Sequence, residues 1–266
     1  MESGGKWMIK KYVSGKVVEK SKFWVPEQTK RRSKKNASSS RKRDENDRNA
    51  VKQLARIINC NFSHGDLWLT LNYSDKGLKT LCEACPGREN GEMEELKDAA
   101  DHELDNFLRR MRREMKKLGI DLRAVALTSD IDGDSGKTAR LHHHIIMPRA
   151  AFEICQKQWK LGGVDYQLLR DQPDYTPLAV YLCKQVRRKE NQNRWKATRN
   201  LLKPVITETE TYKEGELHAP RGSRVLSIGK YDEEIGTHYI RYIAPEKSTK
   251  AKKALNYHEG GENDGV

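Results

Sequence analysis

The chain has 266 residues, with 51 Lys and Arg against 38 Asp and Glu, so it carries a net charge of +13 at neutral pH. A hydrophobic content of 36%, a mean hydropathy of -0.90 and a pI near 9.4 predict a compact domain with solvated basic extensions and a polyanionic partner, most simply nucleic acid. No apolar run reaches bilayer length, residues 1–6 lack the apolar stretch of a signal peptide, and five irregularly placed cysteines do not make a secreted disulfide framework; no membrane partner and a reducing cytoplasm are expected.

Residues 6–25 mix Trp7, Tyr12, Phe23 and Trp24 with lysines and allow short strands. Residues 30–43 are dominated by Lys, Arg and Ser and cannot bury enough apolar surface to fold alone. They read either as a phosphate-binding arm, with Lys30, Arg31, Arg32, Lys34, Lys35, Arg41, Lys42 and Arg43 as DNA contacts, or as a solvated linker; the charge of the whole chain favours the arm. Residues 44–60 have helical spacing, with Val51, Leu54, Ile57 and Ile58 on one face. In residues 66–73, Leu67, Leu69 and Leu71 alternate with Trp68, Thr70 and Asn72, as a half-buried strand requires. Cys82 and Cys85 follow in a predicted loop; a single Cys-x-x-Cys supplies half of a structural zinc site, and two reduced thiols are the simpler reading.

Residues 92–118 predict a long helix with an acidic start, a basic end and Gly119 as its stop. Leu104, Phe107, Leu108, Met111, Met115 and Leu118 form its apolar stripe. A strand over 122–128, a turn over 130–136 and a second strand then read as a β-hairpin. Gly136-Lys137-Thr138 imitates the end of a phosphate-binding loop, but that motif needs glycine at 131, where Ile stands. Helices are expected over 150–160 and from Thr176-Pro177 through Gln185, with a strand at 164–170 between them. Beyond Trp195 only residues 238–243 are strand-like, and 248–266 read as a disordered tail.

Two constellations carry chemistry. Arg140-Leu141-His142-His143-His144-Ile145-Ile146-Met147 is strand-forming at its β-branched end. Alternation puts His142 and His144 on one face and His143 on the other. Two adjacent imidazoles make half of a transition-metal site, and a nearby carboxylate would bring Mg²⁺ or Mn²⁺ into range. The plainer alternative is a polar strand whose histidines only hydrogen-bond. The second constellation is Tyr181 with Lys184, which share a helix face at i, i+3. A phenol with an ordinary pKa of about 10 attacks only with help from a cation or a metal, so this pair alone reads equally as core edge and solvated lysine.

In order, the Trp68-Leu69-Thr70-Leu71-Asn72-Tyr73 strand, the His142-His143-His144 strand and the Tyr181-Leu182-Cys183-Lys184 helix resemble the three motifs of the HUH endonucleases, specifically the rolling-circle replication initiators of phages and plasmids. The flanks Ile57-Ile58-Asn59-Cys60-Asn61-Phe62 and residues 195–204 are similar to segments of such Rep-like proteins. The resemblance implies an α+β fold, a central antiparallel sheet with packed helices of HUH or ferredoxin-like type. It divides the chain into a basic N-terminal extension (1–56), an endonuclease domain (57–204) and a C-terminal extension with a flexible tail (205–266). It maps the metal pair onto His142 and His144, the nucleophile onto Tyr181 and its helper onto Lys184. His143 stands where the family is usually apolar, and no second tyrosine follows at 184 or 185. Tyr175, with Leu178 at i+3, is the poorer nucleophile. For the third ligand, usually acidic, Asp130 is first choice because it ends the strand; Asp132 is second, since Asp before Gly is also turn chemistry. The implied activity is a Mg²⁺- or Mn²⁺-dependent nick in single-stranded origin DNA that leaves a 5′-phosphotyrosine and a 3′-OH primer for the host replication machinery. Two other classes remain: a non-catalytic basic nucleic-acid-binding protein, and a relaxase or transposase of the same superfamily, although relaxases tend to carry a third His where Ile146 stands.

Overall fold

The structure is a computed structural model; it describes residues 5–27, 40–83, 93–186, 193–212, 215–229 and 237–245, with residues 40–45 and 93–94 described by their backbone alone. In chain order the elements are β1 (Gly5–Ser14), β2 (Val17–Pro26), α1 (Ser40–Asn61), β3 (Leu67–Asn72), α2 (Asp75–Glu83), α3 (Met93–Lys117), β4 (Val125–Ile131), β5 (Thr138–Met147), a 3-10 turn (Arg149–Ala151), α4 (Phe152–Gln158), β6 (Val164–Leu168), α5 (Thr176–Lys184), β7 (Lys196–Ala197), β8 (Val205–Thr211), β9 (Arg224–Ile228) and β10 (His238–Ile243). The fold is α+β, with two five-stranded antiparallel sheets. The chain divides into two compact units, Lys30–Val205 and the combination of Met1–Thr29 with Ile206–Val266. Among the described residues no helix is long and apolar enough to cross a membrane.

The sheet of the split unit has the order β8-β1-β2-β10-β9. Residues 5–26, assigned from sequence to a basic extension, instead form a ten-by-ten hairpin registered from Gly5↔Pro26 to Ser14↔Val17. Gly15, at φ 58°, makes its tight turn, a backbone that other residues adopt at a cost. The strand pattern is obscured in the sequence because a lysine occupies an inward position. Lys22 is buried, donates from Nζ to the Gly215 carbonyl at 3.2 Å, and lies 5.1 Å from the centre of the Trp7 ring. Val18, Ile240 and Tyr242 are the buried centre of this unit.

The second unit is built on the order β6-β3-β5-β4-β7, so the histidine strand β5 is central and paired antiparallel on both sides. Thr70 and Leu127 lie opposite His144, and Leu71 and Thr128 opposite His143. Each face of this sheet has its own core. Leu67, Leu69, Leu71, Ile145 and Met147 face the α3 stripe of Leu104, Phe107, Met111 and Met115. Val125, Leu127 and Ile146 face α1 and α5 through Leu54, Ile58, Ala179 and Leu182. A domain boundary at residue 57 therefore cuts through α1, whose Leu54 and Ile58 are both completely buried. α5 has Pro177 in its first turn, but its amino end is capped by Asp174, whose Oδ1 accepts from Thr176 N at 3.0 Å and Thr176 Oγ1 at 2.6 Å. Cys82 lies on α2 rather than in a loop, and Cys85 is outside the described residues.

Candidate active site

On the α1/α5 face of the sheet, three polar atoms converge. His142 Nε2 is 3.1 Å from His144 Nε2, and His144 Nε2 is 3.0 Å from Gln185 Oε1. Gln185 follows the last residue of α5, is 1% exposed, and is anchored by its carbonyl, which accepts from Ser129 Oγ at 2.7 Å. Its Nε2 is buried without a hydrogen-bond partner, an expensive condition for an amide. Among the described residues no three His, Cys, Asp or Glu side chains cluster as a metal set; here the third donor is an amide oxygen.

The outer ring nitrogens define the tautomers. His142 Nδ1 donates to the Arg140 carbonyl at 2.7 Å, which leaves its Nε2 to accept from His144. His144 Nδ1 accepts from the indole N–H of Trp68 at 3.3 Å; an indole can only donate, so the His144 proton sits on Nε2, toward His142 and Gln185. Thr70 Oγ1 is also 3.2 Å from His144 Nδ1 and can accept from it when that proton moves across the ring. Burial, reinforced by the charge of His142, pushes His144 down from 6.5 to about 4, so the ring is neutral at physiological pH. Two imidazole nitrogens and one amide oxygen are a donor set that fits a divalent transition ion such as Mn²⁺.

Tyr181 is brought to the same place. Its ring packs edge-on against Trp68 at 5.4 Å, and the same indole lies 5.7 Å from His144. Gly133, in the β4–β5 turn, lies under the phenol: a Cβ there would come 2.6 Å from Tyr181 Oη. Burial and then the carboxylates of Asp134 and Asp132 raise the Tyr181 pKa, which keeps the phenol protonated at neutral pH. Asp132 accepts from Ser135 N and Oγ, both at 2.7 Å; these bonds hold its carboxyl below the ordinary range, with a smaller contribution from His142.

His143 points to the opposite face. Its Nε2 accepts from Tyr73 Oη at 2.7 Å, its Nδ1 donates to Thr128 Oγ1 at 3.0 Å, and Thr128 in turn donates to Asp101. Burial pushes its pKa down from 6.5 to about 3 and raises that of Tyr73. Every polar atom of this imidazole is used.

The remaining expected site residues fall in several places. Asp130 is not brought to the histidine pair. Strand alternation carries it, with Ala126 and Thr128, to the His143 face, where Oδ1 is 3.1 Å from Lys97 Nζ. Asp132 lies on the correct side but is engaged in turn hydrogen bonds. Lys184 is exposed and makes no hydrogen bond or ion pair among the described residues. Tyr175 is buried with Oη donating to the Arg170 carbonyl at 2.9 Å, which removes it as a nucleophile. Lys30, Arg31, Arg32, Lys34 and Lys35 lie outside the described residues, and Arg41, Lys42 and Arg43 begin α1, described by its backbone alone. Gln185 was missed; the available signal was its i+4 spacing from Tyr181, which puts both on one helix face. No family model, no curated protein and no solved structure matches the chain.

Proposed function

We propose that the Lys30–Val205 unit nicks single-stranded DNA through Tyr181, as the resemblance to rolling-circle initiators implies. The observation that supports this reading is the convergence of His142 Nε2, His144 Nε2 and Gln185 Oε1 beside an indole that also seats Tyr181. A bound Mg²⁺ or Mn²⁺ would draw charge from the non-bridging oxygens of the scissile phosphate and oppose the carboxylates that keep Tyr181 protonated.

The chain's own residues do the rest. His142 and Gln185 hold their donors in place through the Arg140 carbonyl and Ser129. His144 frees Nε2 by taking the other neutral tautomer, with its single proton on Nδ1 donated to Thr70 Oγ1. Trp68 and Gly133 fix the phenol, so Oη approaches phosphorus from one direction. The Tyr181 proton passes to solvent, the Oη–P bond forms and the P–O3′ bond breaks. The products are a 5′-phosphotyrosine and a strand ending in a 3′-OH, which primes host polymerase; the retained phosphodiester energy later rejoins the strands. Lys184, at the exposed end of α5, meets the phosphate charge.

A second reading has a specific observation behind it: the Trp68–His144–His142–Arg140 chain is closed without any ion, as a non-catalytic nucleic-acid-binding domain would keep it. Incubation with circular single-stranded DNA and Mn²⁺, then denaturing electrophoresis, separates the two. Nicking predicts a covalent protein–DNA band that is absent in Tyr181→Phe, while that variant still binds DNA. Binding without any band leaves the non-catalytic reading.

A further inference from the structure

We propose that the outward face of α3 is a docking surface for the phosphate backbone of duplex nucleic acid, on the opposite side of the sheet from Tyr181. It uses residues that the nicking reading does not.

α3 buries Leu104, Phe107, Met111 and Met115 on the His143 face of the sheet. Its outward residues Arg109, Arg112, Arg113 and Lys116 are exposed and follow one another at helical spacing. Arg112, Arg113 and Lys116 have no acidic partner among the described residues, and Arg109 is oriented by Asn106 Oδ1. Arg110 is held beside them by Glu103 at 2.7 Å, with its guanidinium 6.0 Å from the centre of the Phe107 ring. Between these side chains opens a hollow of about 400 Å³ lined by Asn106, Arg109, Arg110, Arg112 and Arg113.

Ordinary helix chemistry does not account for this face. The helix dipole favours cations in the last turn, which covers Lys116 and Lys117 but not Arg109 or Arg112. Like charges at i, i+3 and i, i+4 repel, so the stripe weakens the helix unless an anion lies across it. Four guanidinium forks around one hollow are suited to phosphate oxygens, which arginine grips in pairs.

The rigidity of the array selects the occupant. Residues 109 to 116 span roughly 10 Å of helix, comparable to about three phosphates of a duplex strand at about 3.4 Å of rise each. Single-strand binding relies on aromatic stacking, and α3 has no aromatic residue on this face; Phe107, its one aromatic side chain, is fully buried.

The test uses the full chain and a short labelled blunt DNA duplex, with binding measured across a salt series. The triple variant Arg109→Ala, Arg112→Ala, Arg113→Ala should bind more weakly. The slope of log affinity against log salt should fall by about 2.7, at about 0.9 for each lost phosphate contact. The corresponding triple change to Lys keeps the charge and should keep the slope. Binding of oligothymidylate and adduct formation at Tyr181 should be unaffected by the alanine variant. An unchanged duplex slope overturns the proposal, as does equal loss on oligothymidylate, loss of the slope in the lysine variant, or displacement of the duplex by polyglutamate of equal charge. Absence of any adduct, with the duplex result intact, counts against Tyr181 chemistry and leaves this surface standing.

Discussion

His142 and His144 sit on one face of β5 and His143 on the other, and the two faces treat the same side chain in opposite ways. On the α3 face, His143 is entirely buried, and each nitrogen is matched to a partner that is itself matched, Tyr73 on one side and Thr128 with Asp101 on the other. On the α5 face, His142 Nε2 and Gln185 Oε1 share the single proton of His144 Nε2, and the Gln185 amide nitrogen has nothing to bind. A satisfied buried network makes the fold rigid, while an incompletely satisfied one is costly and is found where function needs it. The difference gives His143 a structural place and leaves its neighbours as the pair on which the proposed chemistry rests.

The largest expected effect tests that division directly. His142→Ala and His144→Ala should each abolish Mn²⁺ binding and lower nicking by about 100-fold or more, with a modest change in thermal stability. His143→Ala should do the reverse: nicking survives in the folded fraction, but stability falls by about 3 kcal/mol, from the cavity and from the orphaned Tyr73 hydroxyl. Denaturant unfolding with calorimetry of Mn²⁺ on all three variants decides it. Equal loss of metal binding at His143 would erase the contrast between the faces.

Next in size is the third donor. Gln185→Ala should weaken Mn²⁺ binding about tenfold. Asp130→Ala should leave the metal affinity alone and destabilise the fold by about 2 kcal/mol, because its largely buried hydrogen bond from Lys97 is lost. If instead Asp130→Ala removes metal binding while Gln185→Ala does not, the carboxylate swings across the sheet edge and the assignment reverses.

A smaller effect sharpens the His143 side. Its pKa is about 3 in the fold and 6.5 when free, so the unfolded chain takes up the proton first. Its contribution to stability is complete above pH 6.5 and is lost as pH falls toward 3, at about 1.4 kcal/mol for each pH unit. His143→Leu should flatten the stability profile across that window; an unchanged slope would mean that other groups carry the acid sensitivity. The smallest effect belongs to Gly133→Ala, whose Cβ would meet the Tyr181 ring at 2.5 Å. Single-turnover nicking should slow by about tenfold with Mn²⁺ affinity unchanged, since a displaced nucleophile costs rate and not metal binding.

How far the sequence could be read depends on the range of the interaction. The strand at 67–72, the long helix with its apolar stripe and the central hairpin were legible because each is written as a local period of two or 3.6 residues. Residues 5–26 were legible only as possible short strands and not as a long hairpin, because the pattern is broken by an inward Lys22 that bonds to Gly215, 193 positions away. Strands β8 and β9 were missed for a similar reason: mostly exposed residues leave little alternation to detect.

The site divides along the same line. Alternation along one strand is a property of the backbone, so the sequence alone determined that His142 and His144 share a face and that His143 does not. Helical spacing likewise put Tyr181 and Gln185 on one side of α5. Only the tertiary structure decided what those faces meet. It brought Gln185 to His144 across 41 residues and set Trp68 in contact with both His144 and Tyr181. It also packed α3 against the face that Asp130 shares with Thr128, so that the carboxylate meets Lys97. A slip of one residue in a strand exchanges its two faces, and that register is settled by packing between distant segments rather than by any pattern within one of them.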